Sequence, residues 1–235
     1  MRLELLATLS LCAVSAAFAA EPPPPAAISV GADAQVSAKP DRVQVDIGVT
    51  SHSERSQVAA VQNAHQVEAV LAAVRTAAGP SAQLQTIDYT IAPTYRYREG
   101  APPVLTGYDA SNVVQVTLDD LERTSAVLDA AAQAGANTVR GIQFLLKDPA
   151  PRRAEALRRA ALKARAEADV LAEALGVRIV RVLRVEEQSG GEAVEPRMFK
   201  RAGAAVAYAG EPTPVESGSL DVTARVQLTL EVATR

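Results

Sequence analysis

The stretch YDASNVVQVTLDDLERTSAVLDAAAQAGANTVRGIQFLL, residues 108–146, predicts the centre of the fold. Up to Leu118, every second side chain falls on one face of a strand, and all of these except Asn112 are apolar or aromatic. An acidic pair can cap a following helix, which Gly135 ends. Residues 139–146 then return to a strand pattern. The stretch therefore predicts a strand, a helix and a strand in succession.

The preceding part of the chain has the same order of elements. Residues 43–49 alternate as a strand, and the helix that follows has an apolar stripe ended by Gly79. The next strand runs from Ile87 to Tyr97 and returns through glycine and proline residues to the quoted stretch. The combined order is strand-helix-strand-strand-helix-strand. We therefore predict an α+β fold with a ferredoxin-like (split βαβ) core and a mainly antiparallel sheet.

Two further elements flank this core. An extra N-terminal strand at 28–36 is predicted to form a hairpin with residues 43–49 through a turn at Lys39-Pro40-Asp41. A third helix is expected from Pro151 to Leu175, ended by Gly176. Its inward positions are expected to be Ala154, Leu157, Ala161, Ala164, Ala168, Leu171 and Leu175.

The C-terminal part contains strand patterns at 177–185 and 220–232. Between them, residues 188–218 are rich in Gly, Pro and Ala and lack a clear period, which fits either a long loop or an edge strand between loops. No linker separates two cores, so residues 28–235 are predicted to form a single domain.

Residues 1–19 have the layout of a secretory signal peptide, with a basic start, an apolar middle and a small-residue cleavage site at Ala17-Phe18-Ala19. A proline-rich segment, residues 20–27, follows. We therefore expect export to the periplasm through a cleavable signal, with an uncleaved membrane anchor as the alternative. No transmembrane segment is expected after cleavage. Cleavage would also remove Cys12, the single cysteine, so the mature chain is expected to lack disulfides.

The composition and the motifs argue against most catalytic chemistry. A net charge of −3 lacks the basic footprint of a nucleic-acid-binding protein. The two histidines, His52 and His65, do not have the spacing of a metal site, and no phosphate-binding or dinucleotide loop occurs. We therefore predict no catalytic residue, no metal and no cofactor. A hydrolase would need paired acids, but Asp119-Asp120 fits a helix cap and Glu186-Glu187 fits a strand end.

A hairpin rich in tyrosine provides the candidate binding residues. Tyrosine combines a large apolar ring with a polar tip, and its clustering can mark an interface, although cross-strand packing within one chain explains it equally well. The residues predicted to form an interface or to bind a ligand are Tyr95, Tyr97, Tyr108 and Asn112.

The sequence resembles the SIMPL-domain family of bacterial periplasmic immunogenic and oxidative-stress defence proteins. The matching stretches are ISVGADAQVSAKPDRVQVDIGV, QTIDYTIAPTYRY, GYDASNVVQVTLDDLERTSAVLDAAAQAGANTVRGIQFLLKD and EALRRAALKARAEADVLAEALG. The resemblance implies an exported α+β module of poorly defined activity, without agreed catalytic residues, and some relatives are thought to form ring-like or channel-like oligomers. The pattern positions are Gly31, Pro40, Asp41, Thr86, Tyr95, Gly107, Tyr108, Asn112, Gly135 and Gly176.

Three functional hypotheses follow. The leading one is a non-enzymatic periplasmic protein that forms a homo-oligomer and supports envelope or oxidative stress tolerance. The alternative is a module that binds a small ligand or peptide through the tyrosine hairpin. The third is a hydrolase with paired carboxylates, which predicts a cleft containing a carboxyl group of raised pKa.

Overall fold

The structure, a computed structural model, describes residues 25–188, 194–197 and 215–234. The predicted signal peptide lies outside the described residues, as does most of the irregular segment. The strands are β1 (Ala27–Ala38), β2 (Arg42–Ser53), β3 (Gln83–Arg98), β4 (Ala101–Leu118), β5 (Thr138–Leu145), β6 (Val177–Glu187), β7 (Val194–Arg197) and β8 (Ser219–Thr234). The helices are α1 (Ser56–Ala78), α2 (Thr124–Gln133) and α3 (Ala150–Ala174), with a 3₁₀ turn at Leu121–Arg123 before α2.

The first sheet has the strand order β3-β4-β2-β5, and all of its neighbouring strands are antiparallel. Helices α1 and α2 pack on each other and on one face of this sheet. The inward side chains of β2 and β4, which include Val45, Ile47 and Val116, form its core with Val70 and Val74 of α1. The predicted α+β class with antiparallel sheets is confirmed, and the strand order is compatible with the predicted split βαβ arrangement.

The second sheet has the order β1-β8-β6, with the short β7 also paired to β8. The predicted hairpin between the first two strands is wrong, because β1 pairs along its whole length with β8, from Ala27 opposite Glu231 to Ala38 opposite Leu220. Alternation shows which face of a strand is buried, but it does not show which strand lies beside it. The turn residues instead lead the chain from one sheet into the other, where the N–H of Asp41 donates to the carbonyl of Leu145.

Helix α3 covers one face of the second sheet with a row of alanines. The buried row is Ala156, Ala160, Ala164, Ala168 and Ala172. The predicted inner face is right at Ala164 and Ala168, which are buried, and the half-buried Leu157 and Ala161 pack against the same cluster. It is wrong at Ala154, Leu171 and Leu175, which are exposed. Alanine at every fourth position lets the helix lie close to the side chains of Val30, Val226 and Leu228.

Within the irregular segment, Val194–Arg197 forms β7, which fits the edge-strand alternative at those positions. Residues 189–193 and 198–214 lie outside the described part of the chain. Among the described residues, no helix is both long enough and apolar enough to cross a membrane.

Candidate interaction arm and cleft

A long hairpin extends beyond the end of the first sheet. Strand β2 ends at Ser53, which lies opposite Tyr108 of β4, whereas β3 and β4 continue past this pair. Within the described residues, the two strands of residues 94–107 pair only with each other, and we call this part the arm. The arm extends about 16 Å beyond its base, at about 3.3 Å per residue along Thr94 to Arg98.

The arm exposes large apolar side chains. Tyr95 is 45% exposed and Tyr97, near the tip, is 75% exposed. Tyr95 lies opposite Leu105, and Arg96 lies opposite Val104, so apolar groups occupy both faces of the arm. Two strands alone cannot bury both faces. The arm is thus an exposed apolar surface of the kind that marks an interaction site.

The base of the arm is tightly packed around a glycine. Gly107 has φ +155°, and a Cβ there would lie 2.7 Å from the ring of His52 and 2.8 Å from the backbone oxygen of Ser53. The His52 Nδ1 lies 2.6 Å from Asp109 Oδ1 across the two strands. The hydroxyl of Thr106 donates to the carbonyl of Thr94 at 2.9 Å. These contacts hold the arm in one direction relative to the sheet.

A cleft adjoins the arm at the start of α1. Its volume is about 640 Å³. The described residues that line it are Glu54, Arg55, Ser56, Gln57, Val58, Val61, Gln62 and Tyr108. Val61 contributes an exposed apolar side chain and Val58 a half-buried one, and the remaining residues offer amide, hydroxyl and charged groups. The cleft can therefore accept an amphipathic ligand beside the Tyr108 ring.

Two asparagines lie between α1 and the central strands. Asn63 is fully buried, and its Nδ2 donates to the carbonyls of Val49 and Ala110 at 2.9 Å each. Asn112 is half-buried. Among the described residues, the Oδ1 atoms of both asparagines lack a hydrogen-bond partner. Asn63 thus attaches α1 to β2 and β4 just inside the base of the arm.

The structure does not gather the four predicted binding residues into one site. Tyr95 and Tyr97 belong to the arm, Tyr108 lines the cleft, and Asn112 lies in the sheet opposite Val49. Sequence reasoning missed Asn63, because a pattern search treats inward helix positions as apolar. A polar residue four positions before the buried Val67 was the signal that could have found it.

The face of the first sheet away from the helices is polar. Arg140 of β5 reaches across the sheet, where its Nη1 donates to Asp88 Oδ2 of β3 at 2.7 Å and its Nη2 to Ser111 of β4 at 3.4 Å. The hydrogen bond from Arg140 lowers the pKa of Asp88. Gln115 donates to Asp46 at 3.0 Å on the same face. This face carries a satisfied hydrogen-bond network.

The adjacent acid pairs have structural partners. Asp119 accepts from Lys147 at 2.6 Å and from Arg42 at 2.8 Å, and these hydrogen bonds lower its pKa. Asp120 accepts from the N–H of Glu122 at the 3₁₀ turn. Glu187 pairs with Arg153 at 2.6 Å, and Glu186 pairs with Arg184. None of the four acids lines the cleft. Among the described residues, no group of three or more His, Cys, Asp or Glu side chains could hold a metal.

The protein has two antiparallel sheets, each covered by helix on one face, and an arm that exposes aromatic side chains. It is therefore an α+β protein with an exposed β-hairpin. The sequence profile of the SIMPL family, described as proteins of unknown function (DUF541), matches residues 28–230. The chain therefore belongs to the SIMPL family, and the resemblance seen in the sequence is confirmed.

Three relatives show what this family includes. The uncharacterized protein YggE of Edwardsiella ictaluri strain 93-146 is 33% identical over 116 residues, which is 48% of each chain. The 26 kDa periplasmic immunogenic proteins of Brucella melitensis biotype 1 and Brucella abortus strain S19 are each 27% identical over 169 residues, covering 70% of this chain and 68% of theirs. The chain thus spans about half the length of the first of these relatives. By name, the Brucella relatives are periplasmic.

Proposed function

We propose that this chain is a non-enzymatic periplasmic protein that self-associates and supports tolerance of envelope or oxidative stress. The observation that carries the self-association is the arm, which exposes Tyr95, Tyr97, Val104 and Leu105 beyond the end of the sheet. Burying one such side chain in a contact is worth roughly 1.5–3 kcal/mol. Burial of several of them by a second copy would therefore contribute to the free energy that association requires.

The periplasmic location is supported by the names of the Brucella relatives and by the secretory layout of the first residues. The stress role is drawn from the family resemblance. It requires that a strain lacking this gene survive hydrogen peroxide less well than its parent and that the restored gene reverse the defect. Equal survival of the two strains would contradict the proposed stress role and would not bear on the proposed self-association.

Light scattering of the purified chain during size-exclusion chromatography tests the self-association. We expect a mass several times the 24.6 kDa of one chain. Replacing both Tyr95→Ser and Tyr97→Ser should lower that mass, because the arm then loses its aromatic contacts.

The matched control is Tyr89→Ser, which removes a tyrosine of similar exposure, 54%, from the part of β3 within the sheet. This variant should keep the wild-type mass. A monomeric wild type at all concentrations would contradict the proposal. An equal fall in the solution mass of the control would assign the contact to the edge of the sheet rather than to the arm.

A second candidate function is binding of a small ligand or peptide, favoured by the cleft at Tyr108. A screen with free amino acids and short acetylated peptides should then find a saturable ligand. Tyr108→Ala should abolish its binding while the circular dichroism of the protein stays unchanged. Monomeric protein with such a ligand would favour this candidate over self-association.

A further inference from the structure

Helix α3 carries a second apolar row on the side away from its own sheet. Leu162 and Val170 are each 66% exposed, and Ala166 and Ala174 are exposed with them. These residues are spaced by four and therefore share one face of the helix. The row is displaced by two residues from the buried alanine row, which is about 200° around a helix of 3.6 residues per turn.

A helix that is apolar on two opposite faces usually has a partner on both. The inner face of α3 meets the second sheet. The outer face, with its leucine and valine, lacks a covering element among the described residues, because each of its members is exposed. The charged residues along α3 indicate which partner fits this outer row.

The two halves of α3 carry opposite charge. Residues 150–165 contain six basic residues and one acid, whereas residues 166–175 contain three acids and no base. Glu155 pairs with Arg158 and Arg159, Arg165 pairs with Asp169, and Arg153 pairs with Glu187 of β6. By sequence, the first half still carries a net positive charge and the second half a net negative charge.

This distribution opposes the helix dipole, which favours acids at the N-terminus and bases at the C-terminus. The first turn of α3 has no acid and the last turn has no base. The overall separation of charge is therefore unfavourable for the dipole of a single helix, and an oppositely directed copy of α3 would complement it.

We propose that the outer face of α3 binds the same face of α3 in a second copy, with the two helices antiparallel about a two-fold axis at Ala166. Leu162 of each copy then packs on Val170 of the other. The basic half of each helix faces the acidic half of its partner. This contact is isologous, since one surface serves both copies.

The small side chain at the axis suits the geometry. Packed helices lie about 8–10 Å apart, and alanine at the closest point permits the lower end of that range. The inference rests on the proposed self-association and names a contact separate from the arm. Two contacts on one chain, the arm and α3, allow an assembly larger than a dimer.

Disulfide trapping tests the antiparallel pair in the full chain, expressed for export and carrying Cys12→Ser so that no other cysteine is present. Ala166→Cys should give a covalent dimer under mild oxidation, because its two copies meet at the axis. Ala174→Cys, the matched control on the same row, should not. Its two copies lie about 24 Å apart, at 1.5 Å per residue, whereas a disulfide needs Cα atoms within about 7 Å.

A second variant separates this inference from the proposed function. Leu162→Glu should lower the solution mass of the assembly, whereas Ala154→Glu, exposed on the same helix, should leave it unchanged. An assembled wild type with no Ala166→Cys dimer, and with Leu162→Glu at full mass, would overturn the α3 contact and keep the self-association. A monomeric wild type would overturn both.

Two other outcomes also contradict the proposal. Equal trapping at Ala166→Cys and Ala174→Cys would mean parallel helices, against the charge argument. Binding to phosphatidylglycerol vesicles that Leu162→Glu abolishes, without trapping at Ala166→Cys, would assign the outer face to a membrane surface instead.

Discussion

Gly107 controls how the arm leaves the sheet. Its φ of +155° is a backbone conformation that glycine adopts and residues with a side chain rarely do. The ring of His52 and the backbone of Ser53 also occupy the space that a side chain would need. The His52 ring can rotate away, but the Ser53 backbone cannot move without shifting the last pair of β2 and β4. The direction of the arm therefore depends on the absence of one Cβ atom.

Gly107→Ala is expected to destabilise the protein by about 1–3 kcal/mol, because it adds backbone strain and a clash at the same position. The measurement is the urea midpoint at one fixed protein concentration. Gly141→Ala serves as the control, since a Cβ there meets nothing within 4 Å. If both variants unfold at the wild-type midpoint, the packing described for the base of the arm is not rigid.

At the scale of elements, α3 lies against its sheet because five inward positions are alanine. Ala164 is fully buried in the cluster that contains Ile28, Val30 and Leu230. A larger side chain at this position has no space unless the helix moves away from the sheet, and moving it would lose the contacts of the neighbouring alanines.

Ala164→Leu should therefore lower the free energy of unfolding by about 1–3 kcal/mol through overpacking. Ala154→Leu, which adds the same side chain at an exposed position of the same helix, should have little effect. Urea unfolding followed by circular dichroism compares the two. Equal stability would show that the alanine row does not set the distance between α3 and the sheet.

At the scale of the whole molecule, the described residues form one hydrophobic core against the first sheet and another against the second, beside which Val36, Ala156 and Ala224 form a small cluster. Short connections join the sheets, and a polar cluster surrounds them. Asp119 at the end of β4 binds Arg42 at the start of β2 and Lys147 after β5. The backbone N–H of Lys147 donates to Asp41 Oδ1 at 2.6 Å. The chain thus passes between the sheets through a charged junction.

The junction predicts a pH dependence of stability. Lys147 and Arg42 hold the pKa of Asp119 below its ordinary value of about 3.9. The ionised carboxylate therefore stabilises the fold at pH values above about 3.9. This stabilisation is lost as the pH falls through the folded-state pKa. Asp119→Asn should unfold at lower urea than the wild type at pH 7, and the difference should shrink toward pH 3. Glu68→Gln, which changes an exposed acid on α1, is the control. A difference that stays constant with pH would assign the loss to something other than the charge of Asp119.

Most helices and strands of this protein are local properties and were predictable from the sequence. Period-two alternation identified β2 and β8, and glycines marked the ends of α1 and α3. The clustered tyrosines also predict, from the sequence alone, a candidate interaction surface in the hairpin of β3 and β4. These features depend on residues near one another in the chain, so their pattern is readable without the fold.

The tertiary structure alone decided which elements meet. It paired β1 with β8, almost two hundred residues away along the chain, because both strands present apolar faces that α3 covers. It turned α3 so that alanines rather than leucines face the sheet, and it buried Asn63 where two strand carbonyls accept its amide. It also separated Tyr97 and Tyr108 into an arm and a cleft. Such outcomes depend on the fit between distant surfaces, which the period of a local pattern does not contain.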